Sequence, residues 1–270
     1  MNLTKGPRKS KDGIDLYSME DFAGMHAAGQ VAAEILDEIV NSVFPGQTTG
    51  KIDAIIEQLI KDKNVDSATI GYRGYQHASC ISVNHVVCHG IPSDKILKDG
   101  DILNIDVTVI KDGWYGDTSR MYVAGQLSRK AERLIQVTHD ALLKGIDAVK
   151  PGKTFGDIGH AIQTYAEARR MSVVRDFCGH GLGRVFHAQP NVLHYGSKGT
   201  GPLIEEGMFF TIEPMVNWGR PETKVLSDEW TAVTRDKSLS AQFEHSIGVT
   251  KDGVEIFTLS PKNKFHPTYS

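Results

Sequence analysis

The sequence predicts one α+β domain built from two similar helix–helix–strand halves, on three observations. PGQTTGKI at 45–52 returns as PGKTFGDI at 151–158. Each copy follows an amphipathic helical pattern, the first over about 22–43 and the second over about 128–149. KDGDILNIDV at 98–107 then corresponds to EEGMFFTIEP at 205–214, each a polar turn with glycine before a β-rich run that ends in a carboxylate region. Two copies are too few for a solenoid, so the expectation is a single domain with pseudo-twofold symmetry and a site where the halves meet. Residues 1–20 read as a short N-terminal extension and 21–270 as the domain, with pseudo-repeats over about 22–120 and 128–250.

The helices come first in each half. Val31, Ile35, Leu36 and Ile39 recur at helical spacing, as do Leu134, Val137, Ala141 and Leu142. After each Pro-Gly turn, Thr48 and Thr154 are placed to cap a second helix, because a threonine oxygen can accept an otherwise unpaired amide of the first turn. Those helices carry Ile52, Ile55, Ile56 and Leu59 in one half, and Ile158, Ala161, Ile162 and Tyr165 in the other.

Strand-like runs follow on either side of Lys111-Asp112-Gly113. A tight hairpin with Lys111 and Asp112 as its loop puts Asp106 directly opposite Asp117, side chains about 5 Å apart on one face. Two carboxylates that close repel and push one pKa up, and a bound cation removes the conflict. The plainer alternative is that one aspartate is exposed and only marks a turn. Farther on, GHGLGRVFHAQP at 179–190 surrounds His180 with glycines that permit close backbone approach, and His187 follows seven residues later. Arg184 stands where a GxGxxG phosphate loop needs its last glycine, and no HExxH helix is present. Taken alone, either histidine reads as a structural hydrogen bonder. Glu213 in FTIEPM and Glu244 in AQFEHSIGV lie among Phe209, Phe210, Ile212, Phe243 and Ile247, where burial is expected and a partner is therefore required.

Composition removes several function classes. The 270 residues are 40% hydrophobic and 23% charged, an ordinary globular balance. Formal net charge is −3, so no global field favours nucleic acid or an anionic membrane. The one basic run, Lys5 to Lys11, reads as a solvated tail. Cys80, Cys88 and Cys178 form no CxxC, which argues against a zinc ribbon or thioredoxin-like site. With no apolar h-region and no membrane-length apolar run, the chain reads as cytoplasmic.

The set VCHGIP (87–92), NIDVTVIKDGWYGDTSRM (104–121), CGHGLGRVFH (178–187), FTIEPM (210–215) and SLSAQFEHSIGV (238–249) resembles the type I methionine aminopeptidases of peptidase family M24, in order and spacing from about 20 to 260. No Cys-rich N-terminal extension is present, which is similar to the short bacterial-style form. The resemblance implies the pita-bread fold, two pseudo-symmetric halves around a curved antiparallel sheet, in agreement with the internal repeat.

It further implies that Asp106, Asp117, His180, Glu213 and Glu244 hold two divalent cations, with Asp117 and Glu244 bridging. Four carboxylates at −4 then balance two cations at +4. Oxygen-rich ligation with one imidazole suits Mn, Fe, Co or Zn without choosing among them. The implied reaction is attack of a metal-bound hydroxide on the first peptide bond, releasing the initiator methionine where the second residue is small. Glu213 would accept and return the proton, His187 hydrogen-bond the scissile peptide, and His89 contact the substrate amide. Tyr72, Tyr75, Cys80, Phe186 and Trp230 would line the methionine pocket, with Cys88 and Cys178 as buried thiols. The implied partners are a free peptide N-terminus and a transient ribosome contact, with no sequence-specific nucleic acid, no membrane and a monomeric state. Arg73, Gln76-His77, His85 and Ala188-Gln189 depart from the commoner pattern at the rim, and none removes a ligand. Two other readings stand beside this one: a prolidase or aminopeptidase P within the same fold, and a non-catalytic pita-bread protein that binds protein or nucleic acid.

Overall fold

The computed structural model describes residues 6–269. Helix α1 (Met19–Glu38) starts earlier than the apolar stripe suggests, because Ser18 and Asp21 form a capping box ahead of an exposed first turn. A 3₁₀ turn, Ile39–Ser42, takes over where the α-helix was expected to continue. Thr48 caps α2 (Thr49–Asp62) by accepting from the Lys51 amide, and Thr154 forms a capping box with Asp157 at the start of α4 (Phe155–Glu167), both as anticipated. Between them α3 (Arg129–Asp147) is capped by Ser128 and stops two residues short of the predicted end.

The repeat is carried by matched main-chain bonds. The Gly46 amide donates to Leu97 O at 2.8 Å and the Gly152 amide to Ile204 O at 3.0 Å. The Gly50 amide donates to Ser93 O and the Gly156 amide to Thr200 O, and lone bridges join Thr48 to Ile96 and Thr154 to Leu203. The two Pro-Gly-x-Thr turns are thus tied to equivalent segments of their own halves.

Among the described residues one antiparallel sheet of nine strands runs through both halves. Its strands are β1 (Asp66–Ser67), β2 (Cys80–Val83), β3 (Asp101–Lys111), β4 (Trp114–Ala124), β5 (Gly179–Gly181), β6 (Ala188–Val192), β7 (Phe209–Ile212), β8 (Glu244–Val249) and β9 (Val254–Ile256). The order is β6-β5-β7-β8-β4-β3-β1, with β2 also on β3 and β9 also on β8. Alternation along β3 divides its side chains. Leu103, Ile105, Val107 and Val109 join Ile35, Leu36, Ile52 and Ile56 in the core under α1 and α2, which leaves Asn104, Asp106 and Thr108 to the opposite face. In the second half Phe210, Ile212, Phe243 and Ile247 pack with Leu134, Leu142 and Ile158 under α3 and α4, which leaves Thr211, Glu244 and Ser246 to the opposite face.

The hairpin register differs from the expected one. Its loop residues are Asp112 (φ 50°) and Gly113 (φ 77°), with Lys111 still paired to Trp114. A two-residue loop matching the strand twist needs positive φ at both positions, which Asp-Gly accepts and a lysine resists. Asp106 therefore faces Ser119, and Asp117 faces Thr108. The two-residue slip keeps both aspartates on one face, as diagonal neighbours rather than opposite ones.

The N-terminal basic run also differs from expectation. Arg8–Lys9 pairs with Asp15–Leu16, and Lys9 Nζ lies 2.6 Å from Asp15, so these residues form a hairpin instead of a tail; Lys5 lies outside the described residues. No helix among the described residues is long and apolar enough to cross a membrane.

Candidate metal centre and active-site cleft

Register brings the acidic residues into one row. Asp106 on β3 faces Ser119 on β4, and Ser119 faces Glu244 on β8. Asp117 is two residues from Ser119 and shares its face. Glu213 follows the last residue of β7 directly, and His180 is the middle residue of β5. Donor atoms of Asp117, His180 and Glu244 all lie within 4.8 Å of one another. His180 Nε2 is 3.5 Å from Asp117 Oδ2 and 3.7 Å from Glu213 Oε1.

The glycines around His180 are required for this approach. A Cβ on Gly179 would stand 2.4 Å from Thr211 O, and one on Gly181 2.0 Å from Gln189 O. His180 Nδ1 lies 3.1 Å from the Gly181 carbonyl, which fixes the proton there and leaves Nε2 free to ligate. Arg184, on the loop that follows, donates to the Asp112 carbonyl and lies over the Trp114 ring at 3.9 Å, so the histidine loop is bolted to the tip of the β3–β4 hairpin.

The electrostatics of the cluster suit a bound cation. Burial, then the charges of Asp117 and Glu213, holds Asp106 well above the usual carboxylate range. Burial and the charges of Asp117, Glu213 and Asp106 do the same to Glu244. Burial raises Glu213 to about 7 although the His180 cation pulls it down. For His180 burial acts downward, but Asp117 and Glu213 outweigh it and hold it above its ordinary value. Among the described residues no lysine or arginine pairs with any of these four carboxylates. Buried acids without a counter-charge are expensive, and hard or borderline divalent cations fit such an oxygen-rich, single-imidazole set.

Residues beyond the predicted set hold it in place. Thr108 Oγ1 donates to Asp117 Oδ1 at 2.7 Å. Thr211 Oγ1 accepts from the His180 amide at 3.0 Å and donates to Glu213 Oε1 at 2.8 Å. Gln242 Nε2 donates to Glu213 Oε2 at 3.3 Å. Each lies two residues from a predicted ligand along the chain, so the period of a strand was the signal that could have found them.

A cavity of about 820 Å³ opens over the cluster. Tyr72, Tyr75, Cys80, His89, Phe186, His187 and Trp230 all line it with the five predicted ligands. Tyr72 and Phe186 rings lie 4.9 Å apart, as do Tyr75 and Trp230. Tyr72 Oη is 2.9 Å from His187 Nδ1. His89 stands edge-on to Phe177 and Trp230, and burial lowers its pKa. Cys88 is buried as expected, whereas Cys178 is only half-buried and both border the cavity. Arg73, Asp176 and Glu229 form part of its rim.

Residues 23–251 match metallopeptidase family M24. The methionine aminopeptidase of Rickettsia prowazekii (strain Madrid E) is 58% identical over 258 residues, spanning 95% of this chain and 99% of the relative. A crystal structure of methionine aminopeptidase from Rickettsia prowazekii matches with a TM-score of 0.90, over 91% of this chain and 100% of that one. The methionine aminopeptidase of Escherichia coli (strain K12) is 51% identical over 248 residues, 91% of this chain and 94% of the relative. A prolidase from Pyrococcus horikoshii OT3 shares the fold alone, with a TM-score of 0.71 at 21% identity over 90% of this chain and 63% of that one. The chain belongs to metallopeptidase family M24, and within it to the methionine aminopeptidases.

Proposed function

We propose that this protein removes the N-terminal methionine, the initiator methionine above all, from peptides and nascent proteins whose second residue is small. The observation that carries the reading is a buried cluster of four carboxylates and one imidazole at the base of a cavity walled by Tyr72, Tyr75, Cys80, Phe186 and Trp230. Asp106, Asp117, His180, Glu213 and Glu244 would hold two divalent cations, of the Mn, Fe, Co or Zn type. Bound there, the cations supply Lewis acidity that polarises a carbonyl and acidifies a water. Glu213 is the carboxylate that takes up and returns the proton, since its oxygens border the cavity beside His180. His187, at the mouth, hydrogen-bonds the scissile peptide, and His89 contacts the substrate amide and guides the leaving amine. A cation held there would also anchor the neutral α-amine of a free N-terminus, which would limit cleavage to one residue.

The walls account for methionine. Burying its side chain contributes about 1.5–3 kcal/mol, and thioether–aromatic contacts roughly 0.3–1.5 kcal/mol each. A lysine would bury an unpaired ammonium and a leucine would meet the narrow walls with its branch.

Free amino acid released from Met-Ala-Ser, Leu-Ala-Ser, Lys-Ala-Ser, Met-Leu-Ser and Ala-Pro tests the reading on the metal-loaded protein. Methionine should appear from Met-Ala-Ser and little from the rest. Trp230→Ala should lower discrimination between Met-Ala-Ser and Leu-Ala-Ser about tenfold, the usual scale for a pocket contact. Equal cleavage of the methionine and leucine peptides by the parent would sink the pocket assignment. Hydrolysis of Ala-Pro in preference to Met-Ala-Ser would favour a prolidase.

A further inference from the structure

Glu213 sits where the chain leaves the main sheet. β7 ends at Ile212, Pro214 has no amide hydrogen, and Met215–Asn217 pairs in a separate three-stranded sheet. The Glu213 N–H is thus the last main-chain donor before the break. Its acceptor is a side chain, His194 Nε2, at 3.1 Å. An amide can only donate, so Nε2 must carry its lone pair and the ring proton must be on Nδ1. That Nδ1 is buried and has no hydrogen-bond partner among the described residues.

His194 is 0% exposed, while its neighbour Leu193 is 41% exposed. Hydrophobicity alone would order this pair the other way. Leaving one ring nitrogen buried and unmatched is a cost that an aliphatic residue at 194 would avoid. The ring is also firmly mounted. A Cβ on Gly159 of α4 would come within 2.3 Å of Tyr195 O and 2.7 Å of Leu193 O, so helix and segment touch backbone to backbone. The Gly196 amide donates to Gln163 Oε1 at 3.1 Å on the same helix.

We infer that His194 is a positioning residue: it anchors the main chain of Glu213, so that the carboxylate, already held through Thr211 and Gln242, is set toward the cluster before any cation arrives. The inference rests on Glu213 being a cation ligand. It assigns His194 a role through Glu213, without contact with substrate or cation, and it distinguishes Glu213 from Asp106 and Glu244, whose carboxylates accept no hydrogen bond from the described residues.

The test uses the full chain with Mn²⁺ or Co²⁺ titrated calorimetrically into metal-free protein, Co²⁺ absorption of the loaded protein, steady-state kinetics on Met-Ala-Ser, and melting of the metal-free form. His194→Leu should lower cation affinity and kcat about 10–100-fold, the usual effect of losing a ligand's supporting partner, with KM little changed. Its metal-free melting temperature should stay close to the parent's. His194→Gln, whose Oε1 reaches the place of Nε2, should restore affinity, kcat and the Co²⁺ spectrum; His194→Asn, one bond shorter, should not. Parent-like affinity and kcat in His194→Leu would overturn the role, and so would equal losses in the glutamine and asparagine variants. If the leucine variant does not fold, the glutamine–asparagine comparison decides. Glu213→Ala separates the two layers of the argument. Unchanged cation affinity in that variant removes Glu213 as a ligand, whereas lost affinity there with a flat His194 series removes only the positioning role.

Discussion

At the scale of single residues the site is governed by repulsion that the fold does not relieve. Asp117 is 3% exposed, sits beside three other carboxylates, and among the described residues has only Thr108 and His180 as side-chain partners. Asp117→Ala should therefore abolish peptidase activity and weaken cation binding, while the metal-free protein melts at or above the parent temperature. Calorimetric titration with Mn²⁺ and a melting curve check both halves of this expectation; full occupancy with retained activity would remove Asp117 from the ligand set. His187 is different. It stands at the mouth, hydrogen-bonded to Tyr72, and burial with the nearby His180 charge lowers its pKa to about 4, so it is neutral at pH 7. His187→Ala should keep the metal content and reduce kcat about 10²–10⁴-fold; a parallel fall in metal content would make it a ligand instead. The five proposed ligands and the cavity walls were legible through family motifs. Thr108, Thr211 and Gln242 were not singled out, because a hydroxyl or amide in a strand is an ordinary surface choice until its face is known.

At the scale of elements, the β3–β4 hairpin decides whether Asp106 and Asp117 meet. The strands and the shared face were readable from the sequence, but the register was not, since assigning the loop one residue early moves every pairing by two. Parity protected the conclusion: an even slip keeps the face, an odd one would have sent Asp117 into the core under α1. The true loop is fixed by backbone conformation at Asp112 and Gly113 and by Arg184, which donates to the Asp112 carbonyl. Gly113→Ala adds a side chain at φ 77°, with its Cβ 2.8 Å from Arg184 Nη1. The left-handed conformation costs about 1–2 kcal/mol for a residue with a Cβ, so denaturant unfolding should show a loss of that size. Because Arg184 links the hairpin tip to the His180 loop, cation affinity should fall as well. Unaltered affinity with the full stability loss would show that the tip and the cluster are mechanically independent.

At the scale of the molecule, the proposed ligands divide between the halves: Asp106 and Asp117 precede α3, and His180, Glu213 and Glu244 follow it. The internal repeat made the two halves legible, yet their seam was not, since residues more than 120 positions apart join there without any repeated motif. Ser246 Oγ donates to Asp117 O at 2.6 Å, Thr118 Oγ1 to Glu244 O at 2.7 Å, and Asn104 Nδ2 to Gln242 O at 2.8 Å, all between β4 or β3 and the strands around β8. These neutral bonds hold together a seam that the unpaired carboxylates push apart. A cation shared by Asp117 and Glu244 would reverse the sign of that push and act as a cross-link between halves. Linkage gives its size: at a free concentration of 100 times Kd, one cation stabilises the folded state by about 2.7 kcal/mol, a rise in melting temperature of roughly 5–10 °C for a chain of this size. Stripping the metal with a chelator should reverse the rise. Hydrogen exchange locates it. Adding Mn²⁺ should slow exchange at β3 and β4 of the first half and at β5, β7 and β8 of the second by similar factors, and Asp117→Ala should erase both responses together. Protection confined to one half would mean that the cations are held within that half, and the seam would then be a feature of the fold with no part in binding them.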